Sequence, residues 1–337
     1  MRSRIGPISA ALTKVFGGNK PFTIARSLAR DVIAESRLAG PPFDPFKFTR
    51  MLNLRIEYAP IEAEGVFTGL PGEDPKIVLP RPADSLPTRK RRRLNFTLAH
   101  EIGHYVIRRE LYGFVPISIF ATENTEEEAL CSVFAAELLM PSNTIVRDFR
   151  SLGLLPEAFC TLGDRYDVSL QSLLCRATEL WRGHLIAALW AKRDGQFTLT
   201  WITPKRQQKV VLTYSKRRRV YEAYRMDKMM LCDTGHSTIE RAFDCAEPQY
   251  AKDYFIMDGK KTWWNTTSMR LPGSGLVLSI MRRDSKESRT RLPQVRMRPR
   301  QPFSEVKPPF QQSLPFAPRQ LGVPGLLPPP PQAEMER

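Results

Sequence analysis

Phe96-Thr97-Leu98-Ala99-His100-Glu101-Ile102-Gly103-His104-Tyr105 contains the pattern His-Glu-x-x-His. On a helix a spacing of four is close to one turn, so His100 and His104 share a face. Two imidazoles held that way can bind one zinc ion, with the Glu101 carboxylate beside them. That arrangement serves metal-assisted peptide hydrolysis. Leu98, Ile102, Tyr105, Val106 and Arg109 recur at helical rather than alternating spacing, and Asn95 is placed to act as an N-cap. The competing reading is a core helix whose two histidines are only hydrogen-bonded.

A catalytic zinc needs a third protein ligand and an open position for water. A glycine and a third histidine further along would make the metzincin pattern, but Ile107 and Glu110 stand at those places. The other common solution is a carboxylate from a following helix. Residues 125–141, TEEEALCSVFAAELLMP, supply one: Leu130, Val133, Phe134, Leu138 and Met140 suit a buried helix face, and Pro141 ends it. Glu127 and Glu128 lie near its start. Thr125-x-x-Glu128 also fits a capping box, and acidic side chains favour a helix N-terminus in any case. Capping and ligation are both open for Glu128 on these grounds.

The segment Leu94-Asn95-Phe96-Thr97-Leu98-Ala99-His100-Glu101-Ile102-Gly103-His104-Tyr105, followed by Phe134-Ala135-Ala136-Glu137-Leu138-Leu139-Met140-Pro141, resembles the ImmA/IrrE metallopeptidases. The resemblance spans roughly residues 24–180. It implies that Glu128, six residues before Phe134, is the third metal ligand beside His100 and His104, with Glu127 as the fallback. It implies Glu101 as the catalytic base. Zn2+ is the expected cofactor, though similar ligand sets accept Mn2+ or Fe2+. One departure is Ser132, where that family often has asparagine.

The chain has 337 residues, which suggests two domains and a tail. Its five cysteines form no C-x-x-C pair, and their odd number argues against a disulfide framework. No apolar run approaches the ~20 residues a membrane span needs, and the first twenty residues lack the features of a signal peptide. The expected address is the cytoplasm, with no membrane partner. The net charge of +16 points toward an acidic partner such as nucleic acid. The excess is scattered, however, over residues 89–93, 216–219 and 282–300. The run Arg89-Lys90-Arg91-Arg92-Arg93 reads first as a solvated loop.

The expected fold class is α+β. Residues 1–20 read as a flexible terminus. Residues 21–142 read as a zincin-like peptidase domain of helices and a small sheet. Its strands are expected at 54–58, 66–70 and 76–79, the last two joined as a hairpin. Such a sheet offers an edge for an extended peptide. Residues 143–183 read as helical and helix-turn-helix-like, with Ser169 capping the second helix; a DNA reader would aim Gln171, Ser172 and Arg176 into the major groove. Residues 184–285 read as a second, sheet-containing domain, perhaps sensory, with strands at 197–202, 209–214 and 276–280. Within it Cys232, His236 and Cys245 have no standard zinc spacing. Residues 286–337 read as a disordered tail: twelve of the 29 prolines follow Leu292, which favours extended polyproline geometry over a packed core.

The expected function is a zinc endopeptidase. By resemblance its substrate is a DNA-binding repressor of the helix-turn-helix type, cut in a stress or mobile-element response. The alternative is a DNA- or protein-binding regulator whose zinc is only structural.

Overall fold

The structure, a computed structural model, describes residues 6–69, 74–120, 125–181, 184–193, 195–203, 210–211, 231–232, 238–245, 247–257 and 260–283. The expected tail 286–337, most of the strand expected at 209–214, and His236 lie outside the described residues. All the described residues fall within one unit, Met1–Gln294.

The chain opens with α1 (Pro7–Val15), α2 (Pro21–Ser36) and α3 (Pro45–Met51). Each has proline in its first turn, where a missing N–H costs nothing. Part of the expected flexible terminus is therefore a packed helix: Ile8 and Leu12 are fully buried. Two such side chains contribute about 1.5–3 kcal/mol each on leaving water, which favours docking of the helix over a free terminus. Strands β1 (Arg55–Tyr58), β2 (Val66–Thr68) and β3 (Lys76–Leu79) follow, in the order β1-β3-β2. β2 runs antiparallel to β3 as the expected hairpin, and β1 parallel to it. β2 is thus a sheet edge.

The metal-motif helix, α4 (Thr88–Leu111), is longer than the sequence suggested. It starts after Pro87, and Asn95 is not its N-cap but a buried residue two turns inside. Lys and Arg are good helix formers, so the basic run continues the helix rather than forming a loop. Its charges are largely paired. Arg91 and Arg92 donate to Asp167 at 3.1 and 3.2 Å, Arg92 also donates to Asp164 at 2.7 Å, and Arg93 pairs with Glu64. The Asn95 amide donates to the Asp167 carboxylate at 3.0 Å. Asp167 holds a left-handed conformation (φ 49°), which aspartate tolerates better than most residues.

Next come α5 (Thr125–Leu139), α6 (Ser142–Leu152), α7 (Pro156–Tyr166) and α8 (Leu170–Leu180). Ser169 caps α8, its hydroxyl accepting from the Ser172 N–H at 3.1 Å. Arg176, one of the side chains a DNA reader would aim at bases, is fully buried. It donates to the Met140 carbonyl at 3.1 Å, to Glu179 at 2.8 Å, to Ser142 Oγ at 3.0 Å and to Glu137. The α7–α8 pair therefore braces α5 and α6, and this arginine cannot reach DNA.

The remaining strands are β4 (His184–Arg193), β5 (Gln196–Thr203), β6 (Val210–Val211), β7 (Leu231–Cys232), β8 (Gln249–Met257), β9 (Lys260–Arg270) and β10 (Leu276–Arg283). They form one antiparallel sheet in the order β6-β8-β9-β10-β4-β5-β7. One face carries Ile186, Ala188, Trp190, Val277 and Met281 under α9 (Thr238–Asp244), which contributes Ile239 and Ala242. The other face carries Ala187, Leu189, Leu278 and Ile280, which join the same core as α4 and α5. The sheet-rich segment therefore closes a small core of its own under α9 and joins the helical core through its other face. Cys245 is exposed, and among the described residues it belongs to no group of three converging metal-ligating side chains. No single helix there is long and apolar enough to cross a membrane.

Candidate active site

α4 and α5 pack side by side, and the site lies between them. Gly103 permits the close approach: a Cβ there would lie 3.2 Å from Cys131 Cα and 3.2 Å from the Phe134 ring. Gly103→Val should push the helices apart and destabilise the fold by about 1–3 kcal/mol, the usual cost of overpacking. Thermal melts check the stability. Chelator competition should also reveal weaker metal binding, because this spacing sets the distance from α4 histidines to α5 carboxylates.

His100 and His104 stand on one face of α4 with ring centroids 5.0 Å apart. The Glu128 carboxylate spans them, with Oε2 2.9 Å from His100 Nε2 and Oε1 3.2 Å from His104 Nε2. Glu127, the fallback ligand, occupies a different place. It meets the opposite nitrogen of His104, Nδ1, at 2.8 Å, and accepts from Arg108 Nε at 2.7 Å. Ser132 Oγ lies 3.4 Å from His100 Nδ1. Both imidazoles thus present Nε2 to one acidic side chain, while their Nδ1 atoms face other partners.

The charges follow from this packing. Burial and the neighbouring His104 lower the His100 pKa, against the pull of Glu128. Burial also disfavours charge on His104, but the hydrogen bond and charge of Glu127, helped by Glu101 and Glu128, raise it overall. Glu127 resists its own burial and stays below the usual carboxylate range, because His104 and Arg108 both donate to it.

Glu101 is buried on the same helix, facing β2. Its Oε2 accepts the backbone N–H of Phe67 at 2.8 Å. Gly65, just before the strand, lets the chain pass this close: a Cβ there would lie 2.7 Å from Thr97 Cγ2 and 3.4 Å from Glu101 Cγ. Burial raises the Glu101 pKa, opposed by the charge of His104 and the Phe67 N–H. A carboxyl moved toward neutrality suits proton transfer.

These donors fit a divalent cation. Two imidazole nitrogens and a carboxylate converge from fixed helices, a nitrogen–oxygen set that suits zinc. Ligand atoms of His100, His104 and Cys131 also lie within 4.8 Å of one another, a second convergent set sharing the two histidines. Burial, with the charges of Glu127, Glu128 and Glu101, pushes the Cys131 thiol well above its ordinary range.

Residues 87–178, covering α4 to most of α8, match the Peptidase_M78 family model, described as the IrrE N-terminal-like domain. The chain carries an IrrE N-terminal-like domain. The radiation response metalloprotease IrrE of Deinococcus radiodurans is 37% identical over 90 residues, which are 26% of this chain and 27% of that protein. The chain therefore matches about a quarter of that relative's length. A solved Mycobacterium tuberculosis transcriptional regulator is similar over 77% of this chain and 76% of its own, at 14% identity and a TM-score of 0.39; nothing is built on so loose a likeness. All the residues discussed at the centre of the site, from His100 to Cys131, lie inside the matched range. β1–β3 and the larger sheet lie outside it.

Three parts of this IrrE-like site escape a reading of the motif alone. Arg108 is one turn beyond His104 and so shares its face, while Cys131 is one turn beyond Glu127 and Glu128; both spacings were available in the sequence. The Phe67 N–H carries no side-chain signature, and only the fold brings it to Glu101.

Proposed function

We propose that this protein is a zinc-dependent endopeptidase, with His100, His104 and Glu128 holding the metal and Glu101 moving the proton. The observation that carries this reading is the Glu128 carboxylate, within 3.2 Å of the Nε2 atoms of both histidines. Glu128 is preferred to Cys131 for the third place because its carboxylate meets both Nε2 atoms directly. The thiol must first lose a strongly held proton. Glu127 is assigned to orienting His104, since its oxygen faces Nδ1 rather than Nε2.

Zinc held there supplies a Lewis acid that lowers the pKa of water to about 7 and polarises a carbonyl. The chain's own contribution is proton traffic and alignment. The Phe67 N–H fixes Glu101 Oε2, so Oε1 is the oxygen offered to a proton. Glu101 takes a proton from the attacking water and delivers it to the amide nitrogen as the C–N bond breaks.

The substrate is proposed to be a DNA-binding repressor of the helix-turn-helix type, cut in a stress or mobile-element response. The support is the family resemblance and the radiation-response metalloprotease among the relatives. Incubation of zinc-loaded protein with helix-turn-helix repressors from the same organism should yield discrete fragments of one of them, mapped by mass spectrometry. Repressors all left intact would reject that substrate. Against the rival reading, a DNA- or protein-binding regulator with a structural zinc, stand the burial of Arg176 and the pairing of Arg91 and Arg92. Duplex binding should accordingly be weak and fall steeply with salt, as for sequence-independent contacts.

A further inference from the structure

We infer that Arg108 is a positioning residue that aligns both the metal-binding and the proton-transfer sides of the site. The inference rests on the reading of His100, His104 and Glu128 as the metal set.

Two sets of contacts place Arg108 between the two sides. Its guanidinium donates to Glu127 through Nε at 2.7 Å and through a terminal nitrogen at 3.4 Å. Glu127 in turn meets His104 Nδ1 at 2.8 Å. A carboxylate at Nδ1 accepts that nitrogen's N–H and fixes the ring, leaving Nε2 to ligate a metal, and such partners orient metal ligands in general. The guanidinium also sits 5.6 Å from the centre of the Phe67 ring and 5.4 Å from that of Phe120. Cation–ring contact at this range holds the planar group between the two aromatics. Phe67 is the residue whose N–H holds Glu101. Its ring also packs edge-on against Tyr105, at 6.0 Å.

The groups facing Arg108 are therefore an acid that steers a histidine and a ring whose backbone steers the base. A planar group serves both, since its edge donates while its face packs. Lysine could supply the charge, but neither the paired donation nor the flat face.

The test uses the full chain. Zinc dissociation constants are measured by chelator competition for the wild type, Arg108→Ala, Arg108→Lys, Glu127→Gln and the double variant Arg108→Ala/Glu127→Gln. Circular dichroism and melting curves establish that each is folded. Arg108→Ala should weaken zinc binding by about 10–100-fold, the usual effect of losing a group that orients a metal ligand. Arg108→Lys should recover only part of this. The double variant should bind about as well as the weaker single variant, because both changes cut one chain of contacts. In peptide cleavage at saturating zinc, Phe67→Ala should lower kcat, with a loss of zinc affinity no larger than that of Arg108→Ala.

His100-dependent zinc binding with Arg108→Ala within twofold of wild type would overturn the inference while leaving the metal site standing. Full recovery by lysine would reduce the role to charge and also overturn it. Additive losses in the double variant would do the same, and so would a Phe67→Ala variant of unchanged kcat. Zinc binding indifferent to His100→Ala would instead reject the metal site itself, and this inference with it.

Discussion

Glu101→Gln is expected to lower peptide cleavage by about 10²–10⁴-fold, the range a positioned general acid–base supplies, while zinc binding stays within a few-fold of wild type. Glutamine keeps the shape of the side chain and an oxygen that can accept the Phe67 N–H. It cannot take a proton at neutral pH. The change therefore isolates proton transfer from packing, which matters because Glu101 is buried and a smaller residue would leave a cavity. Cleavage rates and bound zinc should be measured on the same sample. Equal cleavage by the variant would remove Glu101 from the mechanism, and loss of zinc would make it a ligand instead of a base.

The largest stability effect is expected at Arg176. Its side chain and that of Glu137 are both fully buried, and each is satisfied by several partners. Glu137 also accepts the Ser142 N–H at 3.1 Å and so caps the start of α6. Arg30 lies 3.2 Å away on its other side. Arg176→Ala leaves a buried carboxylate without its main counter-charge, which typically costs about 3–5 kcal/mol. Chemical denaturation of the wild type and variant reads this difference directly. A cost below 1 kcal/mol would mean that solvent reaches Glu137 in a way the packing does not allow.

The same cluster sets an acid limit on stability. Burial works against charge on Glu179, but Arg176 and Arg26 hold its pKa below the usual carboxylate value. A carboxylate lowered on folding contributes stability that is present above its unfolded pKa, about 4.3. That contribution is lost as the pH falls through the lower folded value. Melting temperatures of the wild type and Glu179→Gln should therefore differ at neutral pH and converge below about pH 4. A constant gap across that window would contradict the assignment.

How much of this was legible in the sequence differs from residue to residue. His100 and His104 were readable because helical spacing alone places them together. From the residues alone Glu128 was readable only as one of two outcomes, cap or ligand, and the family resemblance favoured ligand. The packing of α5 against α4 brings it to both Nε2 atoms, and no local rule could supply that. The separate place of Glu127 needed the rotation of α5 about its own axis, which adjacent residues do not reveal. Asn95 misled because its type suits an N-cap. The helix runs on past it because its amide finds a tertiary partner in Asp167. Arg176 misled similarly: an arginine on a short helix reads as exposed unless its buried counter-charge is known. That counter-charge, Glu137, sits within the apolar run Ala135–Met140, where an unpaired acid would be costly. Of the larger sheet, the sequence pointed to β5, β10 and the place of β6, but missed β4, β8 and β9; the strand order was not legible, because long-range pairing leaves no short-range trace.

Zinc bound per chain tests the account most directly, measured with full metal removal and reloading for the wild type, His100→Ala, Glu128→Gln and Cys131→Ala. The account predicts one zinc per wild-type chain, with binding severely weakened in the histidine and Glu128 variants and retained in Cys131→Ala. Loss of the metal in Cys131→Ala with retention in Glu128→Gln would contradict it.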